Sequence, residues 1–156
     1  MSIANTVKSY LEGQSINYEL VSHPHTQSSM ESAGAAHIVS DNLAKAVIVK
    51  EGDNYMMVVV PSDYHVHLGK LHHLLGDDVG LATEQELISL FPDCEGGAIP
   101  PLGTAYKLVT LVDSNLLNQA EIYFESGDHE NLIKVTGAQF SHLLGDAERV
   151  NVATHH

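Results

Sequence analysis

Two apolar runs joined by a short turn constrain this chain more than any other stretch. Leu43-Ala44-Lys45-Ala46-Val47-Ile48-Val49-Lys50 and Tyr55-Met56-Met57-Val58-Val59-Val60 are rich in β-branched residues and stay apolar at successive positions. A strand with one wet face alternates between apolar and polar, whereas a strand that does not alternate has to be covered on both faces. Gly52-Asp53-Asn54 between the runs is turn sequence, so the pair predicts a hairpin at the centre of a sheet. Pro61-Ser62-Asp63 ends it.

The other segments supply a frame. Ile3, Ala4, Val7, Tyr10 and Leu11 recur at helical spacing and Gly13 is a stop. The run over 16–21 alternates as a half-buried strand does, up to Pro24. Ser28 with Glu31 forms a capping-box pattern that would open a helix of small residues through Ala36. Leu68, Leu71, Leu74 and Leu75 make a helical stripe ending at Gly76, and 79–82 reads as a brief strand. Thr83 with Glu86 is a second capping box, opening a helix stopped by Pro92. A strand is expected over 106–112. A second hairpin, 121–126 with 132–136, turns at Gly127-Asp128-His129-Glu130, and a last helix carries Phe140, Leu143 and Leu144. No repeat or long linker interrupts the order. These elements predict an α+β chain: a single domain, 1–156, on a mixed, partly closed β-sheet flanked by short helices.

Charge narrows the function. Seven basic residues against twenty acidic ones give −13, which argues against broad binding to polynucleotide phosphates, DNA included. No stretch reaches the ~18 consecutive apolar residues of a membrane helix, so no membrane partner is expected. One cysteine, Cys94, excludes an internal disulfide framework and fits a reducing cytoplasm.

Three places could carry chemistry. Cys94-Glu95-Gly96-Gly97-Ala98-Ile99-Pro100-Pro101-Leu102-Gly103 can be neither helix nor inner strand, because its glycines permit positive φ and its prolines remove amide donors. It reads as a stiff loop whose remaining N–H groups are free to meet a ligand. Lys45 lies on the strand face of Leu43, Val47 and Val49, where an ammonium is costly unless it is paired or opens into a polar cleft. Its alternatives are a snorkelling edge lysine and a fixed cation for phosphate or carboxylate. His129 sits in the tight turn, where it is either solvated or part of the same cleft. His23 with His25, and His65 with His67, have the spacing of same-face strand pairs, yet zinc would need a third ligand and a second shell. Cys94 lacks the surroundings of an activated nucleophile. No Gly-x-Ser-x-Gly elbow, P-loop, Rossmann glycine pattern or His-Glu-x-x-His occurs.

On Ala44-Lys45-Ala46-Val47-Ile48-Val49, Gly97-Ala98-Ile99-Pro100-Pro101-Leu102-Gly103 and Tyr123-Phe124-Glu125-Ser126-Gly127-Asp128-His129, the chain resembles the YbaK and prolyl-tRNA-synthetase editing-domain family. The resemblance implies a compact mixed α/β fold and a freestanding deacylase that hydrolyses the ester of a mischarged tRNA, tRNA for proline with a small wrong amino acid. It implies that Lys45 orients the terminal nucleotide or aminoacyl group. Amides of the Gly/Pro loop would hold the ester carbonyl, with Gly96, Gly97, Ala98, Ile99, Pro100 and Pro101 as substrate-binding residues. The turn of Gly127, Asp128 and His129 would shape the aminoacyl pocket, with Lys45 and His129 as its catalytic pair. Met30 and Ile99 are expected to set pocket size. Neither metal nor cofactor is expected, and the implied partners are the aminoacyl-tRNA 3′ end and an aminoacyl-tRNA synthetase. The alternative is a non-catalytic binding or regulatory module that keeps the pocket.

Overall fold

The computed structural model describes residues 3–24, 40–95 and 98–155. The helix expected over 28–36, Met30, His25, Gly96 and Gly97 lie outside the described residues. In chain order the described residues form α1 (Asn5–Gly13), β1 (Glu19–Ser22), β2 (Leu43–Glu51), β3 (Asn54–Pro61), β4 (Tyr64–Val66), α2 (Leu68–Leu75) and β5 (Val79–Leu81). There follow α3 (Glu84–Leu90), β6 (Val109–Asp113), β7 (Glu121–Glu125), β8 (Asn131–Thr136), α4 (Gly137–Leu144), β9 (Glu148–Val150) and β10 (Ala153–His155).

The hairpin is where its apolar runs require it to be. β2 and β3 pair antiparallel from Ala44↔Pro61 to Glu51↔Asn54, inside the mixed sheet of order β1-β8-β7-β2-β3-β6-β9. Gly52 turns it at φ +59, the left-handed geometry that primed hairpin turns demand. Its two faces feed two apolar layers. Ala44, Ile48, Met57 and Val59 pack with Val7 and Leu11 of α1 and with Phe140, Leu143 and Leu144 of α4. Val49, Val58 and Val60 pack on the other side with Leu71 of α2, Val79, Val150 and Val152. Each such side chain taken out of water contributes roughly 1.5–3 kcal/mol, which fixes the hairpin's register and central position together.

Both helices opened by a threonine carry full capping boxes, Thr83 with Glu86 and Thr136 with Gln139. Glu86 also accepts from Tyr55 and pairs with Lys50 Nζ at 2.7 Å, tying the first turn of α3 to the central hairpin.

Three expectations are corrected. The segment over 106–112 does not run straight into a strand: residues Gly103–Tyr106 form a 3-10 turn, Lys107 takes φ +60, and β6 begins at Val109. The corner is forced by close packing, because a Cβ on Gly103 would lie 1.9 Å from Thr110 Oγ1. The strand over 16–21 is shorter and shifted, an exposed edge paired only to β8. β4 and β10, which pair with each other, and β9, which joins β6, were not expected at all; three residues are too few for a periodic signal.

One edge of β2 is shared, and this positions the site. β7 runs parallel to it at Leu43↔Tyr123 and Ala44↔Phe124, and β5 runs antiparallel from Val49↔Leu81 to Glu51↔Val79. Among the described residues no strand pairs with that edge between Lys45 and Ile48. The sheet is forked there.

Candidate functional site

Lys45 is the first residue of β2 beyond the β7 ladder. On its other side it pairs with Val60, and its strand face is that of Leu43, Val47 and Val49. The side chain is half-buried. Burial pushes its ammonium below the ordinary lysine range, and the carboxylate of Asp63, just past the end of β3, pulls it back up. A lysine stem is therefore packed on the face of aliphatic neighbours, with its cation within the field of Asp63.

Ala44 and Phe124 are the last pair of the β2–β7 ladder, so β7 parts from β2 level with Lys45, still paired with β8 at Glu125↔Leu132, and runs on into the turn that carries His129. Gly127 takes φ +111 and His129 φ +56. Asp128 organises this turn. Its Oδ1 accepts from the Glu130 and Asn131 amides, both at 2.9 Å, and its Oδ2 from Asn131 Nδ2 at 2.7 Å. Burial raises the proton affinity of that carboxyl, but these donors together with Ser126 outweigh it and hold Asp128 below the usual carboxylate range. Both Asp128 oxygens are thus engaged in shaping the turn rather than in reaching a ligand.

His129 and Glu125 are each about 1% exposed, and His129 Nδ1 lies 3.6 Å from Glu125 Oε1. Neither oxygen of Glu125 has a hydrogen-bond partner among the described residues. A nearly dry carboxylate held against an imidazole, without other donors, is an expensive arrangement for a fold to keep.

The Gly/Pro loop meets this turn directly. Glu95 N donates to Gly127 O at 2.7 Å, and Ala4 N donates to Ser126 O at 2.8 Å. A Cβ on Gly127 would lie 2.9 Å from Ala4 Cβ and 3.4 Å from Cys94 Sγ, so only glycine lets the three chains approach. The loop is packed inward: Ala98, Ile99, Pro100, Pro101 and Leu102 are buried, with Ile99 and Leu102 in the main core. This corrects the expectation of free amides in part, since the Glu95 amide is used on Gly127 and the Ala98 amide on Glu95 O at 3.0 Å. Ile99 borders a cavity of only about 30 Å³ with Phe91 and Cys94, roughly one water's share of space. The base of the loop is pinned by Asp93, which accepts from Thr6 N at 3.0 Å and from Tyr106 OH at 3.1 Å, while the Phe91 and Tyr106 rings pack at a tilt of 60° with centroids 4.7 Å apart.

The histidine turn and the proline-stiffened loop thus adjoin each other, and Lys45 stands one residue beyond the ladder that ties the turn's strand to β2. The family of aminoacyl-tRNA editing domains matches this sequence over residues 23–143, a span that contains all three. The chain belongs to that family. No curated protein matches it. Among solved structures, the hypothetical protein APE2540 is 22% identical over 96% of this editing domain and 100% of its own chain, with a TM-score of 0.84. A candidate trans-editing enzyme for prolyl tRNA synthetase is also 22% identical, over 98% of this chain and 99% of its own, at a TM-score of 0.83. A candidate signal transduction protein from Marinobacter aquaeolei VT8 matches at 15% identity and TM-score 0.80, over 98% of this chain but 31% of its own. These likenesses establish the shared fold.

The other residues singled out in the sequence are accounted for by their neighbours. Burial pushes the Cys94 thiol up to about 12, against the opposing hydrogen bond to Tyr106, so it is not an activated nucleophile. His65 and His67 are not a same-face pair. His65 lies on β4 with Nε2 2.9 Å from Thr154 Oγ1, whereas His67 caps α2, accepting from Lys70 N at 3.1 Å. His23 Nδ1 bonds the Pro24 carbonyl at 2.7 Å. Among the described residues no group of three His, Cys, Asp or Glu could hold a metal. Glu125 was missed. Inside Glu121-Ile122-Tyr123-Phe124-Glu125 it reads as the exposed phase of an alternating strand, and only the fork buries it.

Proposed function

We propose that this editing domain is a freestanding, metal-independent and cofactor-free aminoacyl-tRNA deacylase that acts in trans in the cytoplasm, removing a small wrong amino acid from tRNA for proline. The observation that carries the reading is the junction itself: the buried histidine turn is hydrogen-bonded to a proline-stiffened loop, and the strand that enters the turn parts from β2 level with Lys45. Water adds to the ester carbonyl carbon, the bond from that carbon to the ribose oxygen breaks, and the ribose oxygen takes up the proton. The products are a free amino acid and uncharged tRNA. Lys45 orients the terminal nucleotide or aminoacyl group from the fork. Gly96 and Gly97 of the loop are assigned to the oxyanion, the largest catalytic term such a site can supply. His129 walls the aminoacyl pocket, and Glu125 fixes the imidazole. Gly127 and Asp128 give the turn its shape, while Met30 and Ile99 limit the size of the side chain admitted.

A panel of mischarged tRNAs tests the proposal. Ester loss from at least one is expected, and a folded sample that releases amino acid from none of them refutes it. A second reading, a binding module without turnover, is favoured by one observation: the same fold makes up 31% of a longer candidate signal transduction protein. A non-hydrolysable aminoacyl-adenosine that stabilises the protein, with no hydrolysis of the matching ester, would select that reading.

A further inference from the structure

Hydrogen bonds at its two ends fix which main-chain groups of β2 face the fork. Leu43 O accepts from Ser62 N at 2.8 Å on the β3 side, and Ile48 O accepts from Ala82 N, just past β5, at 3.0 Å on the other. N–H and C=O groups change sides at each residue of a strand. Leu43, Lys45, Val47 and Val49 therefore turn theirs to β3, and Ala44, Ala46, Ile48 and Lys50 turn theirs to the shared edge. Pro61 agrees with this phase, since it stands opposite Ala44, where β2 asks for no N–H. The β7 ladder ends at Ala44↔Phe124 and the bond to Ala82 begins at Ile48, which leaves Ala46 between them. Among the described residues neither the N–H nor the C=O of Ala46 has a partner.

Ala46 is half-buried and packs against the main core, so an unmet donor and an unmet acceptor there are a cost that a ligand can remove. A residue that presents both groups to one side has one kind of strand partner that takes both bonds. It is the directly opposite residue of an antiparallel hydrogen-bonded pair. An aminoacyl ester carries the two atoms such a partner needs, an α-amino nitrogen and an acyl oxygen. Ala44 and Ile48 stand about 13 Å apart at strand rise, room for one residue opposite Ala46.

We propose that the aminoacyl group of the substrate pairs with Ala46 as a one-residue antiparallel strand. Its α-amino group donates to Ala46 O, and its acyl oxygen accepts from Ala46 N. This rests on the deacylase reading for its substrate, and it gives the oxygen that becomes the oxyanion a main-chain donor from the sheet. Stereochemistry then fixes the pose. Running antiparallel to β2, the group has its amine toward Ile48 and its ester toward Ala44, so the ribose leaves along the part of the strand that carries Lys45. Opposite residues of a pair share a face, so an L side chain lies on the Ala46 face, toward the core layer that contains Ile99 and Phe124. A D side chain would fall on the Lys45 face.

The test uses the full isotope-labelled chain, with hydrogen exchange at the Ala46 amide followed by NMR. Exchange in the free protein should be fast, and a saturating non-hydrolysable aminoacyl-adenosine should slow it about tenfold or more. An amide already protected in the free protein, or one left equally fast by the analogue, overturns the proposal. Turnover is then measured on the L-aminoacyl-tRNA ester hydrolysed fastest, on its D enantiomer and on its deaminated counterpart, each divided by its rate in buffer; for alanine these are L-alanyl, D-alanyl and propionyl. Loss of the amine should reduce kcat/KM about 10–100-fold, and the D ester should fall by a similar factor. Equal rates on the L ester and either of the others overturn the pose. Ala46→Pro removes the donor at a strand position where no neighbour needs it, so it should melt cooperatively yet lose about 100-fold in turnover. A folded, fully active variant refutes the donor, and exchange in the wild-type chain decides the matter whatever the stability of the variant. Should the wild-type protein hydrolyse no mischarged tRNA, the deacylase reading fails, and the amide measurement still decides what Ala46 holds.

Discussion

Gly127→Ala probes the junction on which the site depends, and its cost can be worked out in parts. The native φ of +111 lies in a region that L residues rarely adopt, a strain of about 1–3 kcal/mol. The added methyl would stand 2.9 Å from Ala4 Cβ, where carbon atoms normally rest about 3.5–4.0 Å apart, and overpacking of this kind costs about 1–3 kcal/mol. Partial relief by a shift of α1 brings the expected total to about 3 kcal/mol, a large share of a typical ~5–15 kcal/mol stability. For a chain of this size that is a fall in Tm of roughly 6–12 °C by calorimetry. Because Glu95 N is bonded to Gly127 O, turnover should fall as well, even at temperatures where the variant is folded. Ala4→Gly in the same background removes the nearest clash but not the backbone strain, so it should recover only part of the loss. A Tm change below about 2 °C for Gly127→Ala, or full recovery by Ala4→Gly, would refute the reasoning.

Three further outcomes are expected. Folding lowers the proton affinity of Lys45, so its charged form is destabilising at every pH below the folded-state value, and the penalty fades as pH climbs toward the ordinary 10.5. Lys45→Met should therefore raise Tm at pH 7, a gain that shrinks toward pH 10.5, while turnover drops about 100-fold; a lowered Tm with intact turnover would make the lysine structural. Glu125→Gln should leave Tm equal or higher, since it replaces a buried carboxyl group without hydrogen-bond partners by a neutral group of the same shape, yet reduce kcat about tenfold with little change in KM; unchanged kcat would leave Glu125 without a role in the reaction. Cys94→Ser should keep turnover within about twofold, and with a thiol pushed up to about 12 a disulfide reagent at pH 8 should label Cys94 only after unfolding.

Much of this was legible in the residue pattern, for reasons that differ by element. The central hairpin announced itself because Val58, Val59 and Val60 in succession leave no face for water. α3 was readable because Thr83 and Glu86 are a local pair, whereas the equivalent box of Thr136 and Gln139 went unremarked. The loop over 94–103 and the turn at Gly127 were visible through their glycines and prolines, the residues that report backbone geometry most directly. The fork was not. Parallel pairing of Leu43 with Tyr123 joins segments about eighty residues apart and leaves no local mark, so neither the burial of Glu125 nor the position of Lys45 at the end of a ladder could be read. β4, β9 and β10 failed for another reason, being too short to show a period.

Sharing one edge of β2 between two unrelated neighbours closes a ring of supports. β5 and α3 hang on one side, β7 and the histidine turn on the other, and the chain leaving α3 returns to the turn through the Glu95 amide on the Gly127 carbonyl. A substitution in the β5–α3 arm is therefore carried to the imidazole through that bond. A lineage that retunes one arm has to accommodate the other.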